Sequence, residues 1–276
     1  MNASSLPYAV LILLVELGVG SLAIATIFDA RRQVTAGYVK AAAITVLAIA
    51  VLAVAVGAGL RAEPELDGYA LRTRWLAPLR LAVGGFAVIA AVYMVAAFVE
   101  RHRAAVAVGG AGAGVGVAAL VLLAAVVAAP AWSYVGTLAS LLASAAVLGG
   151  ALAAMMWGHW YLTSGRLPKE PMEQMSLVVL GALVLQGVLV LAGSVLPARE
   201  VPLSEGFGVG LVQNPAFWLR ISVGLLFPTL LAWLAWRAAR IRGMMSATGL
   251  LYIALGAVLA GEVLARGLLF STGLAV

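Results

Sequence analysis

Eight long apolar runs constrain this chain more than any other feature. They cover approximately residues 6–28, 37–60, 77–99, 104–129, 131–162, 173–197, 214–237 and 245–273. Each exceeds the roughly 20 residues that a helix needs to cross a bilayer, whereas a barrel strand needs only about ten of alternating polarity. Only 10% of the 276 residues are charged, against about a quarter in a soluble domain. We therefore expect an all-α membrane protein with eight transmembrane helices and little soluble mass.

The loops between these runs alternate in charge. The mixed or acidic loops are 61–74, 129–132 and 197–215, and both of the longest loops belong to this set. The positive-inside rule places the basic loops in the cytoplasm and both termini on the outer side, where a partner would find more surface. The N-terminus lacks a basic segment and a cleavage site, which indicates a retained first span. The basic loops carry Arg31, Arg32, Lys40, "ERHR" (100–103), Arg166, Lys169, Arg237, Arg240 and Arg242.

Composition excludes several classes of function. The net charge of +6 does not indicate a nucleic-acid partner, because the basic residues cluster at the ends of apolar runs, where they set orientation. The chain has no cysteine, which excludes disulfides, thiolate metal sites and protein-held iron–sulfur clusters. If the protein moves electrons, the metal centres therefore lie in a partner subunit.

Small residues predict close helix packing. The segments "LGVGS" (17–21) and "VGGAGAGVGVAA" (108–119) have the spacing that lets membrane helices meet backbone to backbone. Pro228 predicts a kink in the seventh span, with the freed backbone groups satisfied by neighbours. We assign no chemistry to these positions.

Ionisable residues at membrane depth are rare and usually face the interior of a helix assembly. Arg266 follows Glu262 by one turn in the eighth run, so the two can pair, either to lock helix packing or as part of a site. Glu16 has no local partner and is either protonated or paired with an arginine of another helix. Proton or quinone chemistry, helix packing and a misjudged depth all stay open for it. The other polar residues at depth are Gln186, Arg80 and Arg220.

His159 lies in "MMWGHWYLTSGRLPKEP" (155–171), where the fifth run gives way to charge. Trp157, Trp160 and Tyr161 are typical of an aromatic belt at a membrane interface, but a belt does not explain a histidine. A haem or metal site is disfavoured because the only other histidine, His102, lies at the tip of the third run. A histidine between indoles suits a quinone, whose carbonyls need donors that also exchange protons.

The last run, "LAGEVLARGLLFSTG" (259–273), resembles the final helix of the membrane-anchor subunits of DMSO reductase, which has a Gly-Glu, a following Arg and an aromatic residue. The first run, "YAVLILLVELGVGSLAIA" (8–25), is similar to their first helix, with a mid-helix polar residue before a small-residue patch. Eight spans with both termini outside also agree with this family, whose wider group includes polysulfide reductase and nitrite reductase type anchors.

The resemblance implies two four-helix bundles, 1–129 and 130–276, that hold a menaquinone or ubiquinone and no haem or metal. It further implies electron exchange with an iron–sulfur or cytochrome subunit beside a catalytic, possibly molybdopterin, subunit in a bacterial or archaeal cytoplasmic membrane. Such a chain is not catalytic alone. The predicted quinone-binding or proton-transfer residues are His159, Trp160, Tyr161, Glu16, Glu262 and Arg266, and the family motif covers only the last two.

Two other functions stay open from the sequence. One is a small secondary transporter or permease, since each half holds four spans and so permits parallel repeats. The other is a cofactor-free structural or assembly subunit of a membrane complex, in which every buried polar group is a packing device.

Overall fold

The computed structural model describes residues 5–66, 69–128, 134–164, 167–195 and 211–274. Eight helices in these ranges are long and apolar enough to cross a membrane, as the sequence predicted. Each boundary lies within three residues of the predicted run. Arg166 and most of the predicted outer loops 129–132 and 197–215 lie outside the described residues.

The secondary structure is helical apart from one short hairpin. The seventh span is continuous but contains a π-helical turn between α7 and α8, so the eight spans comprise nine α-helical segments among the described residues. The elements are α1 Leu6–Ala30, α2 Ala36–Gly59, β1 Glu65–Leu66, β2 Tyr69–Ala70, α3 Leu76–Phe98, α4 His102–Val127, α5 Tyr134–Ser164, α6 Glu170–Ser194, α7 Pro215–Ile221, the π-turn Ser222–Leu226, α8 Phe227–Arg240 and α9 Met244–Thr272.

Helix α1 and helix α5 are the most buried spans and pack against each other. Helix α1 also contacts α2 and α4, while α3 completes the contacts on that side. Helix α5 contacts α6 and α9, and α8 packs between those two. We call the end at which α1 begins the terminal end, and the end at which α1 turns into α2 the turn end. Tyr8 meets Phe270 at the terminal end, so α9 finishes there.

Glycines set the closest helix contacts, as the small-residue spacing predicted. A Cβ on Gly149 of α5 would lie 2.1 Å from the carbonyl carbon of Gly20 on α1, so these helices touch backbone to backbone. Helix α4 packs on α1 through Gly112 and Gly116, which accommodate Leu22 and Val19. Hydrocarbon offers no hydrophobic drive for helices to associate, so van der Waals contact of this kind holds the spans together.

Three tight turns at the turn end have left-handed residues that are not glycine. Arg32, Glu100 and Arg242 have φ values of 54°, 58° and 61°. The next residue in each turn donates its N–H to a carbonyl five residues back, the hydrogen bond of a Schellman helix ending. A left-handed L-residue costs about 1–2 kcal/mol, and glycine usually occupies this position. The three charged residues therefore make these turns less stable than glycine would at the same positions.

We predict that Gly149→Ala separates α1 from α5. The added methyl would overlap the α1 backbone, and overpacking typically costs about 1–3 kcal/mol. The midpoint of thermal unfolding in detergent should fall relative to the wild type. Gly110→Ala is the matched control, because its Cβ meets nothing within 4 Å and brings the same gain in helix propensity. Equal midpoints for the two variants would show that the contact between α1 and α5 does not determine thermal stability.

Candidate functional site

Six buried residues from five spans form one hydrogen-bonded cluster, which we call the buried polar network. Each of the six is at most 2% exposed. Arg266 lies at its centre, and its Nη2 donates to Glu16 Oε1 at 2.8 Å and to Glu262 Oε2 at 2.9 Å. Arg220 Nη2 donates to Glu262 Oε1 at 3.0 Å. The members are Glu16, Ser144, Gln186, Arg220, Glu262 and Arg266.

Two neutral side chains complete the network. Gln186 Nε2 donates to Glu262 Oε1 at 2.5 Å and to Ser144 Oγ at 2.9 Å. Ser144 Oγ also accepts from Arg266 Nη2 at 2.8 Å. Two carboxylates therefore face two guanidinium groups, and the formal charges cancel inside the membrane. This confirms both the predicted Glu262–Arg266 pair and the alternative in which Glu16 meets an arginine of another helix.

The backbone of the seventh span positions Arg220. Pro228 has no N–H, so the carbonyl of Gly224, four residues earlier, loses its helical donor. Arg220 Nη1 donates to that carbonyl at 3.4 Å, while Phe227 N–H reaches the Ser222 carbonyl in the wider π pattern. A kink was predicted at Pro228; the structure has a π-turn just before it, and an arginine of the same span, not of a neighbouring helix, satisfies the freed carbonyl.

A second glycine pair brings the π-turn against α9. A Cβ on Gly261 would lie 2.3 Å from Cα of Gly224, so the two backbones are in direct contact. Gly261 immediately precedes Glu262, and Gly224 follows Arg220 by one turn. This contact is therefore what lets the arginine of one span reach the carboxylate of the next.

Four polar atoms of the network have no hydrogen-bond partner among the described residues. The two acceptors are Glu16 Oε2 and Gln186 Oε1, and the two donors are the Nε atoms of Arg220 and Arg266. Buried polar groups in proteins nearly always find a partner, including ordered water. The network thus has unused hydrogen-bonding capacity in both acceptors and donors.

His159, Trp160 and Tyr161 lie far from this network. His159 follows Ser144 by fifteen residues on α5, which is about 22 Å along the helix axis. His159 is exposed, and its Nδ1 lies 3.0 Å from the Tyr252 hydroxyl of α9. Trp160 packs over Gly37 at the start of α2, and Tyr161 is partly buried against the core. The six predicted site residues therefore form two groups at different depths.

The interpretation of Trp157 as part of an interface belt is wrong. Its side chain is fully buried, and its ring meets the Tyr38 ring edge-on, with the ring centroids 5.4 Å apart. Tyr38 in turn donates its hydroxyl to the Ala153 carbonyl at 3.2 Å. Two residues along a helix turn the side chain by about 200°, so Trp157 faces the interior while His159 faces outward.

Arg80 and His102, the one at membrane depth and the other at a helix end, also have local partners. Arg80 donates to the carbonyls of Gly57 and Leu60 and so caps α2. His102 Nδ1 lies 3.1 Å from Asp29 Oδ1 at the turn end. Within the described ranges, no group of three His, Cys, Asp or Glu side chains could hold a metal ion.

Two cavities open at the terminal end. One, of about 340 Å³, is lined by Tyr8, Arg61 and Glu63, and Tyr8 packs on Phe270, one turn beyond Arg266. The other, of about 110 Å³, is an apolar crevice beside Arg80. Neither cavity is lined by a predicted site residue.

Sequence reasoning missed part of both groups. Gln186 and Arg220 were noted only as polar residues at membrane depth, and that depth is the signal that could have assigned them to the site. Ser144 and Tyr252 gave no signal, because serine and tyrosine are ordinary residues in such spans. Only the three-dimensional contacts identify them.

No protein-family model matches this sequence, and no curated protein matches it either. The fold and composition define the chain as a multi-pass helical membrane protein. The resemblance to the anchor subunits rests on the overall span pattern and on the two helices quoted for it.

We predict that Arg266→Met strongly destabilises the protein. It would leave two buried carboxylates facing Arg220 alone, and breaking a buried ion pair typically costs about 3–5 kcal/mol. The double variant Glu16→Leu/Arg266→Met keeps the Arg220–Glu262 pair and restores charge balance, so it should unfold at a higher temperature than the single variant. A double variant that is less stable than the single variant would contradict an electrostatic role.

Proposed function

We propose that this protein is the quinone-binding membrane subunit of a multisubunit oxidoreductase. One observation carries the proposal, the exposed His159–Tyr252 pair with its 3.0 Å hydrogen bond at one end of the membrane spans. Bound quinone would supply two-electron, two-proton redox chemistry. This chain would supply the donors, the apolar walls and the proton-exchanging groups.

The residues around His159 fit a quinone head group. Histidine exchanges protons near neutral pH, and its ring here meets Tyr252 edge-on with centroids 6.4 Å apart. The hydroxyl of Tyr252 fixes one ring nitrogen, which leaves the other free to donate or accept. Trp160 and Tyr161, the next two residues of α5, offer aromatic surface on adjoining sides of the helix. Because His159 is exposed, a quinone in the lipid could reach it.

The buried polar network has a different role in this proposal. Its members are at most 2% exposed, so a quinone in the lipid cannot touch them directly. Glu16 retains one unpartnered carboxylate oxygen, which can accept a proton at membrane depth. Arg266 positions that carboxylate and compensates its charge, and Glu262 in turn holds Arg266 in place. The network therefore acts on charge balance rather than on the quinone itself.

The assembly that we propose has two four-helix bundles, α1–α4 and α5–α9, joined where α1 packs on α5. Both termini face the outer side of a bacterial or archaeal cytoplasmic membrane. An iron–sulfur or cytochrome subunit docks on one face and links the quinone to a catalytic, possibly molybdopterin, subunit. The helix contacts described above support the two-bundle arrangement.

A secondary transporter is the second candidate, and the π-turn Ser222–Leu226 favours it. Interrupted helices beside buried charges are typical of transporter binding sites, and π-turns often occur at functional sites. Here, however, the described chain has a single interruption of this kind. Paired interruptions related by a repeat are the usual pattern in transporters.

We predict that His159→Ala and Tyr252→Phe each lower quinol-coupled turnover of the assembled complex while assembly stays intact. A residue that exchanges protons typically contributes about 10²–10⁴-fold in rate, so the histidine variant should show the larger loss. Glu16→Gln should lower turnover without changing the Michaelis constant for quinol. The matched control is His102→Ala, which removes the other histidine. Full turnover in His159→Ala would remove this residue from the site.

Copurification distinguishes the two candidate functions from each other and from an assembly subunit. In mild detergent, the quinone-linked protein should copurify with an iron–sulfur or c-type cytochrome subunit. A protein that is isolated alone and drives substrate uptake into liposomes would instead be a transporter. A stable complex without redox centres would indicate an assembly subunit.

A further inference from the structure

The turn end of α8 presents two arginines, each lying over the ring of a tryptophan. Cζ of Arg237 lies 5.1 Å from the ring centroid of Trp233, and Cζ of Arg240 lies 5.1 Å from that of Trp236. Both distances are within the range of a cation–π interaction. Both arginines are exposed, as is Trp233. We call these four residues the arginine ridge.

Among the described residues, no ion pair compensates the positive charge of the ridge. Neither arginine forms an ion pair with a carboxylate among the described residues. Lysines at the same end differ, since Lys40 pairs with Glu100 at 2.6 Å and Lys169 pairs with Glu173 at 2.7 Å. The neighbouring Arg242 adds to the excess of positive charge.

We propose that the arginine ridge binds the phosphate of an anionic phospholipid. A cation–π contact with an indole restricts each guanidinium group, whose N–H groups can then make a bidentate contact with phosphate oxygens. Arg237 and Arg240 are three residues apart, so they are neighbours on one helix face. Phe227 and Leu230 are exposed and lie near the start of α8, closer to the membrane interior than the ridge. The acyl chains of the lipid would run along them.

Lipid charge is the feature that distinguishes this site from ordinary snorkelling. Arginines that only extend to the interface meet the phosphates of zwitterionic and anionic lipids alike. In a zwitterionic lipid, however, the ammonium group compensates the phosphate. The two arginines should therefore bind an anionic lipid more tightly than a zwitterionic one, and each arginine should contribute to the difference.

The experiment measures lipid retention by the full-length protein. The protein is reconstituted in nanodiscs with equal amounts of phosphatidylglycerol and phosphatidylcholine, and native mass spectrometry counts the lipids that remain bound. The test variant is Arg237→Gln/Arg240→Gln. The control is Arg72→Gln/Arg74→Gln at the terminal end, which removes the same charge and includes Arg74, itself 5.5 Å from the Trp75 ring.

The wild type and the control should retain phosphatidylglycerol preferentially. The test variant should lose that preference by about tenfold relative to the control, which loses the same charge but no phosphate contact. An unchanged preference in the test variant, or none in the wild type, would overturn the proposal. If the variant with two glutamines does not insert into the membrane, Arg237→Lys/Arg240→Lys decides the question. Weaker retention of phosphatidylglycerol by this variant supports a bidentate arginine–phosphate contact, and equal retention refutes it.

A free anion is the competing ligand for the same chemistry. The thermal midpoint should rise in nanodiscs that contain phosphatidylglycerol and should not rise when inorganic phosphate is added to phosphatidylcholine nanodiscs. An equal rise with inorganic phosphate would show an anion site that does not recognise lipid.

Discussion

The contact between Arg266 and two carboxylates on different helices is the interaction on which the interior of this protein depends. A charge inside a membrane is costly unless it is paired and hydrogen-bonded. One guanidinium nitrogen here serves Glu16 on α1 and Glu262 on α9, and it also reaches Ser144 on α5. Because each of these helices must come within hydrogen-bond distance, their positions are fixed together.

Glycine makes that arrangement sterically feasible. The network needs backbones closer than side chains normally permit, and close approach occurs at two places. Gly20 meets Gly149 within five residues of Glu16 and Ser144, and Gly224 meets Gly261 within four residues of Arg220 and Glu262. The small residues carry no chemistry themselves, yet they determine which charged residues can meet. Close helix packing and charge pairing therefore depend on each other at this depth.

Sequence could predict the spans because bilayer thickness sets a length and a composition that are both readable. It could also predict the Glu262–Arg266 pair, since residues four apart share a helix face. It could not predict that Glu16 pairs with Arg266, because 250 residues separate them and only tertiary packing brings them together. For the same reason the partner of His159 was not predicted: Tyr252 lies 93 residues away on another helix. Hydropathy gives depth but not direction around the helix, which is why Trp157 was assigned to the surface although it is buried.

The π-turn in the seventh span sets the rotational phase of that span. A π-turn accommodates one more residue than an α-turn, and each residue of an α-helix rotates the chain by about 100°. Arg220 and Pro228 therefore face directions that a regular helix of the same length would not give them. If Ser222–Leu226 relaxed to α-helical geometry, Arg220 would turn about the axis, away from Glu262, while α8 kept its place. The register of a single turn thus determines whether the charges of the seventh and eighth spans meet.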